Sequence, residues 1–307
     1  MINLVLRKYT PRLVIFYFIK KYYQLFAKER KNEVSDKKVL WVLGMFRSGT
    51  SMLTQIMTYY NYNIGEDKEL IQPIGTLKNL NPNGFYEDFI FADLSRYLLK
   101  KLNRKGDDPP SQNEVETLTW DNFNLIDFIR FSFLEMYEDR VLPTNKIHCY
   151  FRLINRGIVD YVDSKGDNPM IKIPMLSFFY LLLLEKWPKS KFLVTYRHPS
   201  AVLKSSSRLT QNTHYSLYVK YHEFLINLKN YTSEVGYISY DHILIEPEVF
   251  MLKLNSFLDQ KPFETFKLSD IIDPTLIRNK PDLDPLEEPL QKCYGELCEN
   301  SINHCLL

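Results

Sequence analysis

The chain lacks paired cysteines. Its four, Cys149, Cys293, Cys298 and Cys305, show no CxxC spacing, so the close ligand pairs of a structural zinc module are absent. Cys293, Cys298 and Cys305 fall near His304, the only grouping with ligand character, but their spacing is loose. Reduced thiols in a cytoplasmic chain account for them better. Net charge is lacking as well: 39 Lys and Arg against 37 Asp and Glu leave +2 over 307 residues. No global field therefore draws the molecule to nucleic acid. The N-terminal apolar run "LVIFYFI" has seven residues, 13–19, against the ~20 a membrane-spanning helix needs. No small-residue cleavage site follows it, which argues against a secretory leader. Internal repeats are absent too.

What is present suffices for a substantial core: 45% of residues are hydrophobic and 25% charged, the composition of one large globular domain or two small ones. The N-terminus stands apart. Arg7, Lys8, Arg12, Lys20, Lys21 and Lys28 surround the apolar run, with no acid before Glu29. A basic aromatic helix of this kind lies on an anionic membrane face or packs its aromatic side on the domain, and both readings stand. Residues 31–38 are polar and read as a linker.

From there apolar runs alternate with helical patterns. Val39–Leu43 reads as a strand buried on both faces. Thr50 to Tyr60 reads as a helix burying Met52, Leu53, Ile56 and Met57. Turn chemistry at 81–88 leads to a predicted helix over 89–102, a polar surface loop over 103–114 and a long helix over 117–137. Further strands are predicted at 170–173, 191–197 and 236–240, with helices at 176–186, 200–209 and 248–258. This alternation predicts an α/β fold, a central parallel sheet flanked by helices. The expected layout is an arm and linker over 1–37, one domain over 38–280 and a tail over 281–307. Ligands of such sheets sit at the carboxyl ends of the strands.

The segments that carry chemistry fall at those ends. Gly44-x4-Gly49-Thr50-Ser51 has the outline of a phosphate-binding loop, in which backbone N–H groups and a helix N-terminus converge on an anion. A nucleotide triphosphatase would carry Lys at position 50; here Thr50 stands there and Arg47 lies inside the loop. In "VTYRHPSAVLKSSSR", residues 194–208, Arg197 ends a strand and Ser205 follows on the next helix, a placement suited to a second phosphate.

With both segments in view, the chain resembles the sulfotransferase superfamily, whose donor is 3′-phosphoadenosine-5′-phosphosulfate (PAPS). Arg47-Ser48-Gly49-Thr50-Ser51 matches its [KR]-S-G-[ST]-[ST] loop, and Arg197 with Ser205 matches its Arg-then-Ser motif eight residues apart, Ser206 and Ser207 being neighbouring hydroxyls. "GMFRSGTSML", "NPNGFYED", "MIKIPML", "ISYDHILIEPEVFMLKLNSFL" and "DPTLIR" (273–278) are similar to segments of the bacterial-type branch, with Ile173 where a polar residue is usual. The resemblance runs from about Lys38 to Arg278.

It implies a P-loop-containing, sulfotransferase-like fold and transfer of a sulfo group to an acceptor hydroxyl, without a metal. Arg47, Ser48, Gly49, Thr50 and Ser51 would hold the 5′-phosphosulfate, Arg197 and Ser205 the 3′-phosphate, with Arg278 approaching it. Lys172 would reach the reacting centre. Glu87 is the first choice of general base, Glu66 the competitor and Asp88 a third, while Glu87 also suits a helix-start acid. His148 and His198 read as structural. The acceptor would be a small molecule or saccharide, a glycolipid included, bound by loops 61–80 and 103–150. Trp120, Phe123, Phe131 and Tyr137 either stack on sugar or belong to the core. Peripheral membrane contact through residues 1–28 is the other expected partner. Two alternatives remain: a P-loop small-molecule kinase, and a non-catalytic membrane-associated binding protein on the same fold.

Overall fold

A computed structural model describes residues 2–26, 33–72, 84–135, 143–206, 214–272 and 285–303. Strand β1, Leu40–Gly44, is buried along its whole length. It lies inside a four-stranded sheet of order β2-β1-β3-β4, with β2 Met170–Lys172, β3 Lys191–Tyr196 and β4 Val235–Ser239. Every pairing is parallel, with Val42 opposite Lys172, Gly44 opposite Thr195 and Tyr196 opposite Ser239. Strand alternation divides the side chains between two cores. Trp41, Leu43, Ile171, Phe192, Val194 and Tyr237 enter one, and Leu40, Val42, Met170, Leu193 and Ile238 the other. Both faces of each strand are apolar because both are covered.

The covering helices are α1 Ile2–Phe26, α2 Thr50–Thr58, α3 Phe89–Lys101, α4 Pro143–Asp163, α5 Tyr180–Lys186, α6 Pro199–Ser206, α7 Tyr215–Asn227, α8 Pro247–Leu258 and α9 Glu288–Glu299. Helices α2 and α8 close the smaller core with Leu53, Ile56, Met57, Phe250 and Leu254. The larger core draws on α3, α4, α5, α7 and α9, and is rich in aromatic rings. Helix α1 joins it through Ile19, with Ile15, Phe16, Tyr22 and Tyr23 packed alongside. The Tyr22 hydroxyl donates to Asn155 Oδ1 at 2.8 Å, and its ring meets Phe151 edge-on at 4.7 Å. The aromatic side of the arm thus packs on the domain. Among the described residues no helix is long and apolar enough to cross a membrane.

Residues 103–137 depart from the sequence expectation, and the helix expected over 176–186 is a 3-10 turn at Pro174–Phe178 followed by α5. The single helix expected over 117–137 is a 3-10 turn at Trp120–Asn122, a short helix at Leu125–Arg130 and a π turn at Phe131–Glu135, with 136 and 137 outside the described residues. Asn124 caps the middle piece by accepting from the Asp127 N–H at 3.0 Å. Phe131 and Phe133 both enter the core, so this turn is enclosed by the core on more than one side. The loop expected over 103–114 is organised by Arg104, which binds Asp108 and Glu114. It ends in a helix at Gln112–Glu116 begun by a Ser111–Glu114 capping box.

Candidate functional site

The carboxyl ends of the strands meet at one place. Gly44 ends β1 with φ 143°, where a Cβ would lie 2.5 Å from the Thr195 carbonyl oxygen on β3, so only glycine allows this approach. The chain then folds back: the Ser48 N–H and hydroxyl both donate to the Met45 carbonyl, at 3.2 and 2.5 Å, and the hydroxyl sits 3.1 Å from Thr195 Oγ1. Ser48 and Thr50 are buried within the loop. Arg47 takes φ 68°, a left-handed conformation costly for a non-glycine residue and often found at functional sites. Gly49 also has positive φ, and a methyl group there would strike the Tyr240 ring. As the N-cap of α2 it gives no side-chain hydrogen bond, which leaves first-turn N–H groups facing an anion site.

The second segment touches the first. Arg47 Nε donates to Ser205 Oγ at 2.8 Å across 158 residues of sequence. Arg197, buried at the end of β3, lies with its guanidinium 4.7 Å from the Tyr240 ring centroid. Its Nε donates to Asp241 Oδ1 at 3.3 Å, and the His198 N–H donates to Asp241 Oδ2 at 2.9 Å. The Tyr218 hydroxyl holds the Arg197 carbonyl at 2.9 Å. Burial pushes the Tyr240 phenol up, with Arg197 and Arg47 opposing that shift. His198 bonds Ser200 and packs its ring edge-on to Tyr294.

Lys172, at the end of β2, forms the third corner. Its Nζ donates to Glu87 Oε1 at 2.8 Å, the Phe85 carbonyl at 2.9 Å and Ser51 Oγ at 3.3 Å. Its side chain is 2% exposed and that of Glu87 17%. Glu87 therefore sits beside the first turn of α2, with Ser51 between them sharing the same lysine. Glu66 is elsewhere. Its side chain is 62% exposed and pairs with Lys68 at 2.7 Å, and that hydrogen bond holds its carboxyl below the usual range. Asp88 faces inward: it caps α3 through the Phe91 N–H at 3.1 Å and binds the Tyr161 hydroxyl at 2.9 Å and Lys165 Nζ at 2.8 Å. Lys165 also binds Glu69 at 2.7 Å, and Arg152 pairs with Glu69. This cluster, buried except at Arg152, with the Ile71 N–H donating to the Glu87 carbonyl at 2.8 Å, fixes the segment that carries Glu87.

The structure thus brings together Arg47, Ser48, Gly49, Thr50, Ser51, Glu87, Lys172, Arg197 and Ser205, and sets Glu66 apart. Arg278, Ser207, Tyr137, His304, Cys305 and residues 81–83 lie outside the described residues. Trp120, Phe123 and Phe131 pack in the larger core, the Trp120 Nε1 donating to the Leu182 carbonyl. Sequence reasoning passed over Tyr240 and Asp241, which follow β4, although their place at a carboxyl strand end was a usable signal. It also passed over Tyr221. That phenol is buried with no hydrogen-bond partner among the described residues, and its ring lies 4.3 Å from Phe178 and 6.0 Å from Phe46 of the loop. Burial, with Glu87 and Asp107 nearby, pushes it up. Among the described residues no three His, Cys, Asp or Glu side chains gather as a metal site.

Comparison with known proteins gives one family match: the model described as "Sulfotransferase family" aligns with residues 40–264. Among curated proteins none matches. Solved structures similar to this chain include the sulfotransferase domain of the olefin synthase of Synechococcus PCC 7002, at 16% identity, 89% of this chain, 97% of that one and a TM-score of 0.41. A sulfotransferase of Mycobacterium avium is similar at 15% identity, 92% of this chain, 80% of that one and a TM-score of 0.42.

Proposed function

Because the chain belongs to the sulfotransferase family, we propose that it moves a sulfo group from PAPS to an acceptor hydroxyl on a carbohydrate or glycolipid, without a metal. The observation that carries this reading is the contact of Arg47 with Ser205, which sets the loop suited to a 5′-phosphosulfate against the helix whose serine suits a 3′-phosphate. The donor fits on the chain's own terms: Gly44 and Gly49 let the loop fold tightly against Thr195 and the Tyr240 ring, and α2 begins without a side-chain cap.

When bound, the donor supplies a sulfur–oxygen bond whose cleavage leaves a phosphate oxygen. The α2 N–H groups and Ser51 hold the 5′ end, and Arg47 stabilises the charge that grows on the leaving oxygen. Arg197, steadied by Asp241 and Tyr240, and Ser205 take the 3′-phosphate, with Arg278 assigned to the same group. Glu87 accepts the proton of the attacking hydroxyl, while Lys172 aligns that carboxylate with the loop. Buried thiols at Cys149 and Cys293 support a reducing, cytoplasmic setting.

Radiolabelled PAPS is expected to bind the purified chain without magnesium, and Arg47→Ala and Arg197→Ala to weaken it about tenfold or more. Binding by both variants equal to the parent's would remove the donor site. Mass spectrometry of extracts incubated with enzyme and PAPS is expected to reveal a newly sulfated saccharide; a product of another class would reassign the acceptor.

A further inference from the structure

Helix α1 is apolar on two sides, and the domain covers only one. Ile15, Phe16, Ile19, Tyr22 and Tyr23 face the larger core. Leu13, Val14, Tyr17, Phe18 and Leu25 are exposed, Phe18 to 65% and Leu25 to 74%. At about 100° per residue these five share an arc of about 140° opposite the docked side. Lys20 and Lys21 lie on the same outward half, and the Lys21 ammonium sits 5.9 Å from the Tyr17 ring centroid. A helix apolar all round belongs among apolar neighbours, and nothing of the described chain covers this half.

We infer that the outward face of α1 rests on an anionic phospholipid surface. Two features select that occupant. The side chains form an interfacial set, aromatic and aliphatic groups flanked by lysines whose ammonium ends reach the headgroups. The first 28 residues carry six cations and no carboxylate, matching a negative surface. The same charges disfavour a second copy, since pairing two such faces adds the cations of both copies along one seam with no acid in the segment to offset them. Crossing the bilayer is not involved, because α1 is too charged to span it. This inference does not depend on the donor or acceptor assignments above.

Co-sedimentation of the full chain with vesicles tests it. The chain is expected to pellet with phosphatidylcholine containing about 30% phosphatidylglycerol and to stay in solution with phosphatidylcholine alone. Raising salt from about 0.1 M to about 1 M is expected to release it. Lys20→Gln with Lys21→Gln, and separately Tyr17→Ser with Phe18→Ser, are each expected to weaken binding about tenfold or more. Both variants should keep the parent's thermal midpoint, because these side chains point away from the core. A chain that ignores anionic vesicles, pellets equally with neutral ones, or binds unchanged in both variants overturns the inference. So does a dimer in light scattering that Tyr17→Ser with Phe18→Ser splits, which would assign the face to a second copy.

Discussion

Lys172 gives its ammonium to three acceptors at once, and one of them is the carboxylate assigned as base. Glu87→Gln keeps the shape but removes the proton acceptor, so kcat is expected to fall by about 10²–10⁴-fold with donor affinity little changed. Glu66→Gln, at an exposed site paired only locally with Lys68, is expected to stay within about twofold of the parent in the same assay. His222 makes a different statement. It is fully buried, with Nδ1 at 2.8 Å from the Tyr218 carbonyl and Nε2 without a partner among the described residues, and burial lowers its pKa to about 4. The unfolded chain therefore takes up a proton near pH 6.5 that the folded chain refuses until about pH 4. The stabilising contribution is complete above pH 6.5 and is lost on acidification, by up to ~3 kcal/mol. Urea titrations between pH 4 and 8 are expected to show this slope, and His222→Leu to flatten it.

At the scale of elements, the segment carrying Glu87 depends on the Asp88–Lys165–Glu69–Arg152 cluster. Asp88→Asn keeps an α3 cap but removes one carboxylate facing a buried lysine, so unfolding in urea is expected to show a loss of about 3 kcal/mol. None of this cluster was legible in the sequence, because its members come from a turn, a helix cap and a distant helix, and no local period links them. The strands were legible. Leu40–Gly44, closed by Gly44, and Phe192–Val194 within Lys191–Tyr196 are apolar runs, and being buried on both faces leaves them little polar alternation to confuse. The candidate site was legible where its chemistry is local, as in residues 44–51. Tyr240 and Asp241 were marked in the sequence only by their place at a strand end, since a tyrosine against a loop glycine is a fact of packing. The stretch at 117–137 misled because its aromatic residues obey the core's shape rather than one helical period.

On the scale of the whole molecule, α1 is part of the core's cover, since Ile19 is fully buried and four further side chains pack beside it. Deleting residues 1–26 is expected to lower the thermal midpoint by about 5–10 °C, through loss of that apolar burial; an unchanged midpoint would show that the domain does not need the helix.

The sheet order has a consequence for how the molecule comes to exist. Leu40 pairs with Met170 on one side and Lys191 on the other, so the loop beside β1 is translated early and assembled late. Parallel pairing over such separations is slow. While the ribosome is still short of Lys191, a nascent chain holds the phosphate loop in sequence but has no strand on the β3 side to seat Gly44 against, no Ser205 for Arg47 to meet and no Tyr240 beneath Gly49. Stalled chains of that length are expected to bind no donor and to recruit chaperones through their uncovered β1 edge.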